Sequence, residues 1–174
     1  LTSDIVNDKF TEYLYESYDI QDRDKTVTEI PIPSDDDMDE IMNDKDFNIF
    51  LICGRSGSGK STILRNIADK DVKMPSYDNE KCVISQFPKL TEEQACDLLS
   101  GVGLSSVPIW LRKPNELSNG ERARLDVCKS IYDASENGEN IVFIDEFTSV
   151  VNRDAAKSMS FALQRYARQN GMRL

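Results

Sequence analysis

Asn48-Ile49-Phe50-Leu51-Ile52-Cys53-Gly54-Arg55-Ser56-Gly57-Ser58-Gly59-Lys60-Ser61-Thr62 is the stretch from which the rest of the chain is read. Its first six residues form a nearly continuous apolar run of strand length, the pattern of a strand buried on both faces. The last nine fit G-x-x-x-x-G-K-[ST], in which small residues let backbone N–H groups wrap phosphate oxygens and aim a helix N-terminus at them. A flexible serine-glycine loop would share the glycines, but not the strand before them and the helix, Lys60–Ala68, after. Gly57 and Gly59 permit backbone conformations that a Cβ obstructs, Lys60 bridges the β and γ phosphates, and the Ser61 hydroxyl takes Mg²⁺. Gly54, Arg55, Ser56, Gly57, Ser58, Gly59, Lys60, Ser61 and Thr62 are thus the expected nucleotide-binding residues.

Two further apolar runs read as strands. Residues 81–85 end at Gln86, and Ile141-Val142-Phe143-Ile144 ends at Asp145-Glu146. Acids at the carboxyl end of a buried strand face the ligand side of an open sheet, so Asp145 is expected to hold Mg²⁺ through water and Glu146 to act as general base. Two acids merely closing a strand is the alternative. Between the strands lie helices: Thr91 and Gln94 form a capping-box pattern ahead of Ala95, Leu98 and Leu99; another helix runs from about residue 120 to 134; and residues 154–169 place Ala156, Met159, Ala162, Leu163 and Tyr166 at helical spacing before Gly171. Strands alternating with helices predict an α/β fold of the P-loop NTPase kind: a mostly parallel sheet flanked by helices. Aromatic residues in 9–20 and alternation in 26–32 predict a small N-terminal antiparallel β layer ahead of it. The acidic run Asp35-Asp36-Asp37-Met38-Asp39-Glu40 reads as a solvated loop, with a metal or basic-partner site as the lesser reading.

Leu117-Ser118-Asn119-Gly120-Glu121 opens the helix that precedes the acidic pair. Ser118 and Glu121 are three apart, which by itself is a capping box. A helix N-terminus with free N–H groups and a serine hydroxyl is also what a γ phosphate requires. Both roles fit one structure.

From Phe50 onward, the ordered set of glycine-rich loop, Gln86, Ser118-Asn119-Gly120-Glu121, Asp145-Glu146 and Thr148-Ser149-Val150-Val151-Asn152-Arg153 resembles the ATP-binding cassette (ABC) ATPase superfamily. The resemblance implies ATP hydrolysis with Mg²⁺, in a head-to-tail homodimer whose Ser118, Asn119, Gly120 and Glu121 reach the nucleotide of the opposite copy. It implies that Gln86 senses Mg²⁺ and the lytic water, and that an aromatic of the N-terminal layer, for which Tyr18 is the choice, stacks on adenine. Asn119 and Glu121 replace the usual Gly and Gln, Phe147 replaces Pro, and Asn152 stands where Asp is usual. The local sequences around Gln86, Trp110, Ser118 and Asp145 look like a non-transporter group fused to, or associated with, a predicted GNAT-type acetyltransferase domain. A transporter's ATP-binding subunit, partnered with a membrane permease, is the alternative. A nucleic-acid repair or maintenance ATPase is a further one, although the span before Ser118 holds neither heptads nor zinc ligands.

Composition agrees with one domain over 1–174: an N-terminal layer and acidic loop (1–47), a phosphate-loop core (48–85), a short helical subdomain (86–135) and an acidic-strand core (136–174). A net charge of −10 and pI near 4.5 speak against a surface built to neutralise nucleic-acid phosphates. Cys53, Cys82, Cys96 and Cys128 have no CxxC spacing and no histidine is present, so they read as reduced thiols of a cytoplasmic protein. The switch histidine expected of ABC proteins would follow the last helix. The chain reads as a piece of a longer protein.

Overall fold

A computed structural model of the chain describes residues 2–27, 33–44, 47–68, 72 and 74–174. In chain order its elements are β1 (Thr2–Asp4), α1 (Lys9–Tyr18), β2 (Lys25–Val27), α2 (Asp35–Asn43), α3 (Lys60–Ala68), a 3-10 turn (Val83–Gln86), α4 (Glu92–Gly101), α5 (Val107–Trp110), a second 3-10 turn (Pro114–Glu116), α6 (Asn119–Glu136) and α7 (Arg153–Asn170). Among the described residues the molecule is mostly helical and the expected large parallel sheet is not formed. Among the described residues the sheet is two-stranded and antiparallel, with Thr2 opposite Val27 and Asp4 opposite Lys25.

The long helices begin where side chains can satisfy their first N–H groups. Thr91 accepts from the Gln94 N–H while the Gln94 side chain returns to Thr91, and Ser118 and Glu121 do the same for α6. Asn152 caps α7 through the Ala155 N–H, and Gly171 ends that helix in the left-handed region. Each helix then turns one apolar stripe inward. Leu98 and Leu99 of α4, Leu125, Cys128 and Ile131 of α6, and Met159 and Leu163 of α7 are buried in one cluster. Every such leucine contributes about 2 kcal/mol by leaving water, which holds the helices together without a sheet between them. Phe87 sets its ring edge-on to Tyr132 at 5.5 Å, and buried Trp110 donates its indole N–H to the Leu104 carbonyl at 2.6 Å. Burial raises the Cys128 thiol well above the ordinary cysteine range.

The three runs read as strands take other forms, each for a local reason. In 81–85 the Gln86 side chain donates to the carbonyls of Asp78, Lys81 and Cys82 at 2.8, 3.2 and 3.3 Å and accepts from the Asp78 N–H, curling the segment into a 3-10 turn. Residues 48–53 and 141–144 form no strand beyond a single bridge; among the described residues their backbone partners come from residues 173 and 174. The Phe50 N–H donates to the Leu174 carbonyl, the Leu174 N–H to Asn48, and the Val142 N–H to Arg173, with one parallel bridge joining Ile141 and Arg173. A parallel strand is stable when both edges are paired and both faces covered. Here Leu51 remains 68% exposed and Phe50 43%. The chain presents 12130 Å² to solvent, against roughly 8,600 Å² for a folded monomer of this mass.

The N-terminal layer is also corrected. Residues 9–18 form α1 rather than a strand, because Asp8 and Thr11 make a capping box and Tyr15 turns inward, donating its hydroxyl to Asn7 at 3.0 Å. The antiparallel pairing falls instead on β1 and β2; residues 28–32 of the expected second strand lie outside the described residues. The acidic run is helical, not a loop: Ser34 and Asp37 close a capping box at the head of α2, where carboxylates favour the dipole.

Candidate functional site

The glycine-rich loop folds onto one carbonyl. Arg55 O accepts the Ser58 N–H at 3.2 Å and the Lys60 ammonium at 2.8 Å. Gly57 at φ +76° and Gly59 at φ +84° occupy the left-handed region, where a side chain would be strained. A Cβ at Gly54 would come within 2.5 Å of Ser58 Oγ. The Ile63 N–H bonds to the Gly59 carbonyl, so α3 begins directly from the loop. Its first-turn N–H groups, at Lys60, Ser61 and Thr62, have no intrahelical partner.

The acidic pair sits on a second tight turn. The Asp145 carboxylate accepts the Glu146 N–H at 2.9 Å, and the Glu146 carbonyl receives both the N–H and the hydroxyl of Ser149 at 3.1 Å. Glu146 has φ +52°, a left-handed conformation without glycine's freedom. Such a residue costs about 1 kcal/mol or more and persists where its surroundings hold it. Asp145 is half-buried and Glu146 exposed.

These two turns meet along a cavity of about 1090 Å³. Gly54, Ser56, Gly57, Gly59, Lys60, Ser61 and Thr62 line it, together with Asp145, Glu146 and residues of both apolar runs. Residues 173 and 174 tie the two runs together through the backbone bonds to 48, 50, 140 and 142. The Arg173 guanidinium also donates to the carbonyls of Met42, Ile41 and Asp44 at 2.8, 3.3 and 2.9 Å and lies 4.4 Å from the centre of the Phe47 ring. It thereby fastens the C-terminal end of α2 to the cavity wall, a favourable place for a cation. No sequence pattern singled out Arg173.

Other expected site residues lie elsewhere. Arg55 and Ser58 shape the loop but do not line the cavity. Gln86 is buried, its amide fully engaged by the turn before it, and it does not line the cavity. Tyr18 is 71% exposed at the end of α1 and likewise does not line it.

Ser118 and Asn119 are exposed at the head of α6, outside the cavity of their own chain. The Ser118 N–H donates to Glu121 Oε2 at 2.8 Å, and Ser118 Oγ accepts the Glu121 N–H at 3.4 Å. That backbone bond, then the serine side chain, with Arg112 and Arg124 adding smaller shares, holds the Glu121 carboxyl below its ordinary range. A Cβ on Gly120 would touch Val151 at 3.5 Å, so the head of α6 rests against the turn after the acidic pair.

Behind it, Arg122 stacks 4.0 Å over the Tyr77 ring and reaches Asp126 at 3.3 Å, while the Tyr77 hydroxyl donates to the same carboxylate at 2.8 Å. The spacing of Arg122 and Asp126, one helical turn, was a readable sign of that pair.

Among the described residues, no helix is long and apolar enough to cross a membrane, and no three His, Cys, Asp or Glu side chains gather as for a metal ion. No protein-family model matches the chain, and no curated protein matches its sequence.

Proposed function

We propose that the chain binds Mg-ATP in this cavity and hydrolyses it as a cytoplasmic ABC-type ATPase, in a head-to-tail dimer that drives a partner domain or protein. The observation that carries the reading is the pairing of the Gly54–Thr62 loop with Asp145 and Glu146 across one cavity, while Ser118 stands exposed outside it. The reading rests on these local geometries and on no parallel sheet.

The residues fit the ligand. Left-handed glycines leave N–H groups open to phosphate oxygens, and the Lys60 ammonium, which in this structure takes a carbonyl, is free to exchange it for a phosphate. Ser61 and Asp145 would hold Mg²⁺, whose charge offsets that of the β and γ oxygens. Glu146, beside them on a held turn, orients the attacking water and takes its proton. Ser118, which does not line the cavity of its own chain, supplies a hydroxyl and a helix N-terminus to the cavity of a second copy. An acetyltransferase domain is the partner that the resemblance suggests.

Size-exclusion chromatography of Glu146→Gln with ATP and Mg²⁺ tests the reading. A dimer that dissociates without ATP and is lost in Lys60→Ala is expected; a monomer under every condition, with no phosphate release by the parent chain, sinks it.

A further inference from the structure

Three cationic side chains, Lys60, Lys157 and Arg173, and two carboxylates, Asp145 and Glu146, carry the charge among the described residues of the cavity wall. Among the described side chains of the wall the cations outnumber the carboxylates by one, in a chain of net charge −10. Two of the cations are already engaged. Lys60 donates to the Arg55 carbonyl at 2.8 Å, and Arg173 spends its guanidinium on the last carbonyls of α2. Lys157 is exposed and makes no hydrogen bond or ion pair with the described residues.

Its position is fixed all the same. Lys157 lies in the second turn of α7, whose start is pinned by the Asn152 side chain on the Ala155 N–H at 2.8 Å and by fully buried Met159. The same helix gives Ala156, Lys157 and Ser160 to the cavity and Met159 and Leu163 to the core, the split that helical spacing dictates.

We infer that Lys157 is a second phosphate-binding cation, carried by α7 into the cavity that Lys60 and Glu146 also line. This rests on the Mg-ATP reading above and adds a residue to it. A triphosphate brings more negative charge than Lys60 and one divalent ion balance, and a further ammonium on the cavity wall offsets part of the remainder.

Calorimetric titration of the full chain with Mg-ATP, comparing the parent with Lys157→Ala, Lys157→Arg and Lys60→Ala, tests the inference. Lys157→Ala should weaken Mg-ATP binding roughly tenfold, and Lys157→Arg, which keeps the charge, much less. The melting temperature of each Lys157 variant should match the parent. Parent-like affinity in Lys157→Ala, alongside lost binding in Lys60→Ala, overturns the role of Lys157 alone. A lowered melting temperature with unchanged affinity also overturns it, by making the lysine structural. No binding by the parent removes the nucleotide reading, and this inference with it.

Discussion

Gly101 and Tyr166 bring α4 and α7 to a separation that only a hydrogen atom tolerates: a Cβ on Gly101 would stand 2.3 Å from Tyr166 Cδ2. Gly101→Ala should therefore destabilise the fold by about 1–3 kcal/mol, the usual effect of forcing a methyl group into a closed contact. Removing the ring with Tyr166→Ala should make the second substitution nearly harmless. Urea unfolding of the two single variants and the double variant measures this; simple additivity would show that the contact does not limit the packing.

Glu146 sits in the left-handed region at φ +52°. Glu146→Gly should raise stability by about 1 kcal/mol, because glycine adopts that backbone freely, and on the proposed ATPase reading it should also abolish phosphate release by removing the base. Glu146→Gln keeps the strain and should leave the melting temperature alone while also stopping hydrolysis. Thermal melts read beside phosphate release separate the two; equal melting temperatures for both variants would mean the turn is relaxed.

The head of α6 makes a pH prediction. Its folded-state carboxyl, Glu121, is depressed by the Ser118 N–H first, so its share of stability is complete above the ordinary value of 4.5 and is lost as pH falls through the lower folded value. Glu121→Gln should flatten the acid limb of a stability–pH curve below pH 4.5. Ser118→Ala should cost about 1 kcal/mol at neutral pH through the lost cap. An unaltered acid limb in Glu121→Gln would contradict the assignment.

Arg173 binds the carbonyls of Ile41, Met42 and Asp44 at the end of α2. Arg173→Met keeps the bulk and removes the donors, and should speed amide hydrogen exchange in α2 by roughly tenfold or more, leaving α4 and α7 protected. Exchange by mass spectrometry checks it. Uniform acceleration over the whole chain would show instead that Arg173 supports global stability.

Helices were readable in the sequence wherever a cap and a stripe coincided. Thr91 with Gln94, Ser118 with Glu121, and the spacing of Met159 and Leu163 all mark elements that formed, since caps and stripes are satisfied within a few turns of chain. Ser34 with Asp37 carried the same signal, but the charge of the intervening residues suggested a loop. Phe10, Leu14 and Tyr18 recur at helical intervals that the density of aromatic residues, Phe10, Tyr13, Tyr15 and Tyr18, obscured. Strands were the poorer reading, because an apolar run such as Ile49 to Ile52 shows a need for burial without naming its neighbours.

The candidate site divides along the same line. The glycines at 57 and 59 declared their left-handed backbone locally, and the loop could be placed from them. The Arg173 fastening joins residues some 130 positions apart and left no mark in any short window. Gln86 was read from its place at the end of an expected strand in the ordered set; in the fold its amide bonds to the carbonyls of 78, 81 and 82, which no short window of sequence discloses.

The chain has one tryptophan, Trp110, hydrogen-bonded to the Leu104 carbonyl between α4 and the segment leading to Ser118. Its fluorescence is therefore a label-free gauge of that region, emitting blue while the indole stays dry. Any event that loosens the approach to α6 becomes visible as a shift toward red, in a cuvette, on the millisecond scale of a mixing experiment.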